Sequence, residues 1–367
     1  MRKIIFFIII SSLLLTGCVG KKEPEGVLFI TALGIDYKDG QFILYIQGLN
    51  FGNIAKQEGQ VVEDLPPLIG YAKGKSIQIA FSKLEQITAL PLHSGHIQTI
   101  FLSKNVIERK MPDFIELVGQ TRLIRYNILV FGTEENMQNL MNTQSFFNFP
   151  QLFSVTYRPS DLIKNNYFLP ILIYNQFISK YYRPVGTILI PSLKINKGNF
   201  SEGKKKSVAV INGEYMISQQ QYKGWLDKQD LRGLKWFGKA KQDTVLMEGK
   251  DSEVVRIRNP KTKVVVIKGK TPSYKIFVKG NAILIDNVKN KKLRTIEKDL
   301  NKKIKNDILT TIKKGAENKT DVLNLSEKPY RLHLNTWDIN TINDFNEQSI
   351  KDVKVNIQIK ISAKHKI

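Results

Sequence analysis

The stretch from residue 27 to residue 50, Val-Leu-Phe-Ile-Thr-Ala-Leu-Gly-Ile-Asp-Tyr-Lys-Asp-Gly-Gln-Phe-Ile-Leu-Tyr-Ile-Gln-Gly-Leu-Asn, decides how the folded body begins. It holds two apolar runs rich in β-branched and aromatic residues, Val27 to Tyr37 and Gln41 to Asn50, separated by Lys38-Asp39-Gly40. An Asp-Gly between two such runs lets the chain turn with positive φ at little cost, so the segment predicts a β-hairpin. The body therefore opens on strands, and the next question is what alternates with them.

Downstream, Ser76 to Leu90 places Ile77, Ala80, Phe81, Leu84, Ile87 and Leu90 at helical spacing behind a capping serine, which predicts an amphipathic helix. Ile97 to Leu102 reads as a strand, Pro112 to Thr121 as a helix, Ile128 to Phe131 as a strand and Glu134 to Asn142 as a helix. This alternation points to mixed helix and sheet layers. Phe146 to Tyr182 is dense in aromatics, with a broken helical pattern around Pro170. It reads as core packing, with an aromatic ligand pocket or a face for a membrane partner as the functional alternative. Thr187 to Ile195 reads as a strand closing this unit, and Gly198 to Lys206, with Gly203 and three consecutive lysines, as a linker.

Beyond it, Ser207 to Asn212 and Glu214 to Ser218 read as short strands. Val254 to Ile257, Lys263 to Ile267, Lys275 to Lys279 and Ala282 to Ile285 read as a β-meander. Leu293, Ile296, Leu300, Ile304, Ile308 and Ile312 then recur every three or four residues through a lysine-rich segment, which predicts one long helix with a basic outer face. That face is solvated or meets headgroups or a partner. Asp352 to Ser362 alternates apolar and polar residues as a half-buried terminal strand does.

Upstream, Arg2-Lys3 precedes an apolar run from Ile4 to Leu15, broken only by Ser11 and Ser12, and small residues follow. This is the layout of a secretory signal, and the run is short of the roughly 20 residues that span a bilayer. Leu15-Thr16-Gly17-Cys18 resembles the bacterial lipobox, in which the cysteine receives a diacylglycerol and becomes the first residue of the mature chain. Cys18 is the sole cysteine of the 367 residues, so an internal disulfide is excluded. A covalent diacylglycerol with an N-acyl chain on Cys18 would tether the protein outside the cytoplasmic membrane, since two or more buried chains hold where one does not. No other cofactor is expected. Residues 18–26 read as a lipidated spacer that keeps the body near the headgroups.

The formal net charge is +23, two units of which leave with Arg2 and Lys3. For an exported, tethered protein the first partner this implies is an anionic membrane surface, at about 1 kcal/mol per basic residue close to it. Acidic wall polymers or an acidic protein come next. Nucleic acid, the usual partner of a basic chain, is in the wrong compartment.

The search for chemistry is negative. Of His93, His96, His333 and His365, only His93-Ser94-Gly95-His96 forms a pair, with no cysteine beside it and no glutamate between, so no metal site is expected. There is no glycine-rich phosphate loop and no Gly-x-Ser-x-Gly elbow. The chain does not read as an enzyme, and an exported wall enzyme would need such a site.

Several short motifs share one order along the chain: the lipobox; Ala32-Leu33-Gly34-Ile35-Asp36 before the hairpin; His96 leading a strand; Ala209-Val210-Ile211; Gly224-Trp225-Leu226; Arg232-Gly233-Leu234-Lys235-Trp236; the lysine-rich helix; and Asp321-Val322-Leu323 before a tryptophan. Together they resemble the Ger(x)C lipoproteins, the C subunits of GerA-type spore germinant receptors, over nearly the whole mature chain. Glu214 to Tyr222, longer than the family pattern, and the end Lys364-His365-Lys366-Ile367 depart from it.

The resemblance implies an α+β fold of three mixed α/β domains after the lipoprotein signal peptide. It also implies assembly with integral-membrane A and B subunits in the spore inner membrane, in the response of dormant spores to nutrients. Gly34, Asp36, His96, Gly224, Gly233 and Trp236 are its motif positions, expected to be structural. The domains are placed at 27–200 for an N-terminal unit, 201–251 for a small middle unit and 252–367 for a sheet with the long helix, after a signal at 1–17. A lipid-anchored extracytoplasmic solute-binding protein shares the lipobox but should show two doubly wound lobes.

Overall fold

A computed structural model describes residues 26–49, 66–120, 124–143, 145–147, 151–159, 168–237, 244–249 and 253–362. The predicted hairpin is present: β1 (Leu28–Lys38) and β2 (Gln41–Leu49) are antiparallel and turn through Asp39 and Gly40 at φ 52° and 75°. β3 (Leu68–Gly74) pairs with β2. Helix α1 (Ile77–Ile87) begins where Ser76 accepts the Ile79 amide at 3.2 Å, and it turns Ile77, Ala80 and Leu84 inward. The two-residue strand β4 (Leu92–His93) and then β5 (Thr99–Ser103) both run parallel to β1. Helices α2 (Lys104–Arg109) and α3 (Met111–Gln120), strand β6 (Leu129–Thr133), helices α4 (Met137–Met141) and α5 (Tyr174–Tyr181) and strand β7 (Thr187–Asn196) follow. Of the broken helix predicted after residue 160, the turns at 174–181 form. Residues 160–167 lie outside the described ones.

The lysine-rich stretch read as a linker is structured. β8 (Ser201–Glu202) and β9 (Lys204–Lys205) make a small hairpin about Gly203 at φ 68°. Lys206 is buried there because its Nζ donates to the Ser145 carbonyl at 3.0 Å and pairs with Glu202. The two short strands predicted next are one, β10 (Val208–Ser218), bulged between Ile211 and Gly213. It turns through Gln219 and Gln220, at φ 51° and 63°, into β11 (Gln221–Asp227). The family-atypical length at Glu214 to Tyr222 is this hairpin.

β10 pairs with β7 from end to end, giving one nine-stranded sheet in the order β11-β10-β7-β6-β5-β1-β2-β3, with β4 beside β1. Among the described residues of the segment 201–251, β10 and β11 join the first sheet, β12 joins the second, and β8 and β9 pair with each other. A lone hairpin is marginal in water, whereas the open edge of β7 pairs the backbone of β10 along its length.

The second sheet has the order β12-β13-β14-β15. The meander of four short runs is two long strands instead, placed between β12 (Thr244–Glu248) and the last strand. β13 (Val254–Ile267) bends at a bulge at Asn259-Pro260, where a residue without an N–H is tolerated, and β14 (Ser273–Asp286) passes straight through Gly280. The predicted long helix is α6 (Leu293–Glu317), which buries Ile296, Leu300, Ile304, Ile308 and Ile312 against the sheet. After α7 (Glu327–Leu332) and α8 (Ile339–Asn343), β15 (Ile350–Ser362) returns parallel to β14, as a crossover through a helix allows. Asn301 of α6 clamps the Ile357 backbone, accepting its N–H at 2.8 Å and donating to its carbonyl at 3.3 Å. The α+β class is as predicted.

Candidate functional site

Cys18 and the lipobox residues Leu15, Thr16 and Gly17 lie outside the described residues. The other motif positions fall in two places. In the first sheet, Gly34 lies under α4: a Cβ there would sit 2.6 Å from Met137 Cγ and 3.1 Å from Met141 Sδ, so a side chain would push the helix off. Asp36, two residues on, accepts the Tyr37 amide at 2.8 Å. His96 ends a short 3-10 turn, Ser94–His96, and is exposed. Its ring stands 5.1 Å from Phe29 and 5.6 Å from His93. That aromatic cluster is what the histidine pair makes. Among the described residues no group of three His, Cys, Asp or Glu side chains could hold a metal.

Gly224, Gly233 and Trp236 gather along α6, where the two sheets meet. The Gly233 amide donates to Thr311 Oγ1 at 2.8 Å, and that hydroxyl donates to the Asp230 carbonyl at 2.6 Å. A Cβ on Gly233 would lie 2.8 Å from Thr311 Cβ and 3.1 Å from the Asp307 carbonyl. Gly224 has φ 135° and lies against Asn318, the C-cap of α6. Trp236 is buried, and its carbonyl accepts the Thr262 hydroxyl of β13 at 2.6 Å. Burial pushes the Asp307 carboxyl up against the opposing pull of Arg232 and Lys235, and burial likewise lowers the Lys235 ammonium. Low-dielectric surroundings disfavour both charges.

Two residues of this seam, Asn324 and Glu214, carried no sequence signal as sites, and Asp321 carried one only as the head of a family motif. Asn324 locks the start of β7: it accepts the Thr187 amide at 2.7 Å and donates to the Thr187 carbonyl at 3.1 Å. Asp321 accepts the Ser326 amide and hydroxyl, both at 2.6 Å, yet burial still raises its carboxyl. With Thr187, Ser218, Lys223, Lys319 and Asn343 it lines a cavity of about 290 Å³ between the two halves. Glu214 of β10 is fully buried with neither oxygen hydrogen-bonded among the described residues, and burial raises it well above the usual carboxylate range.

A second cavity, about 600 Å³, opens beside His96 and is lined also by Arg125, Asn127, Tyr157 and Gln176. The buried Tyr157 hydroxyl there meets Thr31 Oγ1 at 3.0 Å and donates to Gln47. What Gly224, Gly233 and Trp236 do together is fix α6 and the second sheet onto the first. No described helix is long and apolar enough to cross a membrane.

Residues 20–195 match the family described as spore germination protein N-terminal domain, and residues 212–366 the one described as spore germination B3/GerAC like, C-terminal. The chain is 24% identical to spore germination protein KC of Bacillus subtilis, the match covering 90% of this chain and 87% of that protein. It is 22% identical to the putative spore germination protein YfkR of the same organism, over 94% and 91%. The crystal structure of the GerBC protein superposes with a TM-score of 0.54 at 19% identity, over 90% of this chain and 96% of that one, which shows a shared fold. With both halves matched in order and the same fold recovered, the chain belongs to the Ger(x)C family of spore germination proteins.

Proposed function

We propose that this protein is the lipid-anchored C subunit of a spore germinant receptor, assembling with integral-membrane A and B subunits on the outer face of the spore inner membrane. The observation that carries the reading is Leu15-Thr16-Gly17-Cys18 placed directly before two matched halves of a spore germination family. The named relatives are spore germination proteins, which supports a receptor role. The subunit works by assembly, and its motif glycines serve helix docking. The lipid on Cys18 holds the body at the surface where its partners lie.

Replacement of Cys18 by alanine tests this. Spores carrying Cys18→Ala should lose the protein from the membrane fraction and lose the nutrient response, and the lipidated form should co-purify with two multi-spanning proteins from detergent extracts. A variant that stays membrane-bound and fully responsive sinks the reading, and recovery with an ABC-type permease favours a solute-binding protein.

A further inference from the structure

The second sheet has one face covered and one face bare. Its inner face carries Tyr274, Ile276 and Val278 of β14 into the core shared with α6. The alternate residues point the other way, and the strand register lays them out in rows. Lys263, Phe277 and Lys354 stand side by side across β13, β14 and β15; Lys261, Lys279 and Asn356 form the next row; Val265, Lys275 and Asp352 the row on the other side. Beyond the bulge, Arg256 and Arg258 of β13 continue the same face. All seven basic residues are exposed. Asp352 lies among them, paired with Lys354 at 3.7 Å, and at the far end of the sheet the exposed acids Glu248 and Asp286 stand opposite Val254 on the same face. With strands about 4.8 Å apart, these charges form a sheet of positive potential two-dimensional in extent, with the partly buried Phe277 near its middle.

The exposed stripe of α6, Arg294, Lys298, Lys302, Lys305 and Lys313, is also basic. It is one residue wide, is interrupted by the exposed Leu309, and lies on the opposite side, because α6 covers the inner face. A planar partner can meet one of the two surfaces, and the broad one offers more charges at once.

The fold also brings this half of the molecule toward the tether. β1, β5, β6 and β7 are parallel, so their first residues line one edge of the first sheet. Gly26, where the described chain begins, is at that edge, and so is Thr187, which Asn324 of the second half clamps. The chain thus enters from its anchor at the edge that Asn324 of the second half touches.

We infer that the outer face of the β12-β13-β14-β15 sheet is the surface by which this protein lies on an anionic phospholipid bilayer. The inference rests on the anchored reading of Cys18 and adds to it which surface touches the lipid. The basic face supplies the second, electrostatic signal that accompanies acyl anchors, and it holds the body in one orientation instead of leaving it to swing on its spacer. Most of the predicted basic surface that the sequence assigned to the long helix then faces away from the membrane.

The test uses the full lipidated chain in nanodiscs of phosphatidylcholine alone or mixed with phosphatidylglycerol, with amine acetylation read residue by residue by mass spectrometry. Lys261, Lys263, Lys275, Lys279 and Lys354 should label about fivefold more slowly on the anionic discs, the ratio corresponding to ~1 kcal/mol per residue near such a surface. Lys298, Lys302 and Lys305 should not change, and the protection should vanish at about 1 M salt, where the Debye length falls to ~3 Å. Equal labelling of the five sheet lysines on both lipids overturns the inference, and so does protection that falls on the helix lysines. A chain that fails to stay with phosphatidylcholine discs breaks the anchoring reading alone. The sheet assignment then stands or falls on whether phosphatidylglycerol vesicles still bind the chain and protect the same five lysines.

Discussion

The two sheets are built on different plans. In β7, Ile188 and Ile190 point into one core cluster while Leu189 between them points into the other, and all three are buried. β5 does the same with Ile100, Phe101 and Leu102, and β6 with Val130 and Phe131. These strands are covered on both faces, and their sequences are unbroken apolar runs, as in parallel sheets generally. In β14, Tyr274, Ile276 and Val278 are buried while Lys275 and Lys279 are exposed. Period two in the sequence marks one dry face and one wet one, and the wet face is where the charge has accumulated. The first sheet serves as the scaffold, and the second presents a surface.

Consecutive alanine substitutions give the largest effect and would break the comparison if it were wrong. Leu189→Ala and Ile190→Ala should each cost about 2–5 kcal/mol in urea denaturation, since both remove buried methyl groups. In β14 only Ile276→Ala should cost that much, with Lys275→Ala within about 0.5 kcal/mol of the parent. A harmless member of the Leu189/Ile190 pair would mean that one face of the first sheet is open.

The seam between the two plans comes next. Gly233→Ala forces a methyl against Thr311 and the Asp307 carbonyl, which cannot yield without moving α6. Overpacking of that kind costs about 1–3 kcal/mol by the same measurement, and a variant as stable as the parent would remove Gly233 from the docking role.

The smallest effect is visible only as a pH dependence, and it concerns the one carboxyl buried in β10. Glu214 binds its proton more tightly folded than unfolded, so its contribution to stability is intact below the ordinary glutamate range and is lost as pH rises toward its raised value. Glu214→Gln should therefore melt above the parent at pH 8 and together with it near pH 4. Identical melting curves at both would show that Glu214 is solvated.

How much of this was legible depends on the range of the interaction involved. The opening hairpin was readable because Asp39-Gly40 sets its turn locally, and α1 and α6 because their apolar residues recur at 3.6 over several turns. Gly203 and three lysines gave the signal of a linker, yet Lys206 is buried by partners at Ser145 and Glu202. The breaks in β13 and β14 looked like turns because Asn259-Pro260 and Gly280 are turn residues, and the pairing of whole strands overrode them. Among the motif glycines, Gly224 could have been flagged as a conformational need, whereas Gly34 and Gly233 are dictated by side chains that arrive from Met137 and Thr311, far along the chain.

The sequence by itself determined the hairpin, the long helix, the overall charge and the family, and it alone carries the expectation of an export signal and of acylation at Cys18, because each of these is encoded in residue type and short-range order. Only the tertiary structure decided that β10 and β11 complete the first sheet, that β15 returns parallel to β14, that Glu214 and Asp321 are buried, and that seven basic residues of three strands share one bare face. Those outcomes depend on which strand edge pairs with which and on which face a helix covers. Such choices are made by contacts between residues tens to hundreds of positions apart, and no local pattern carries them.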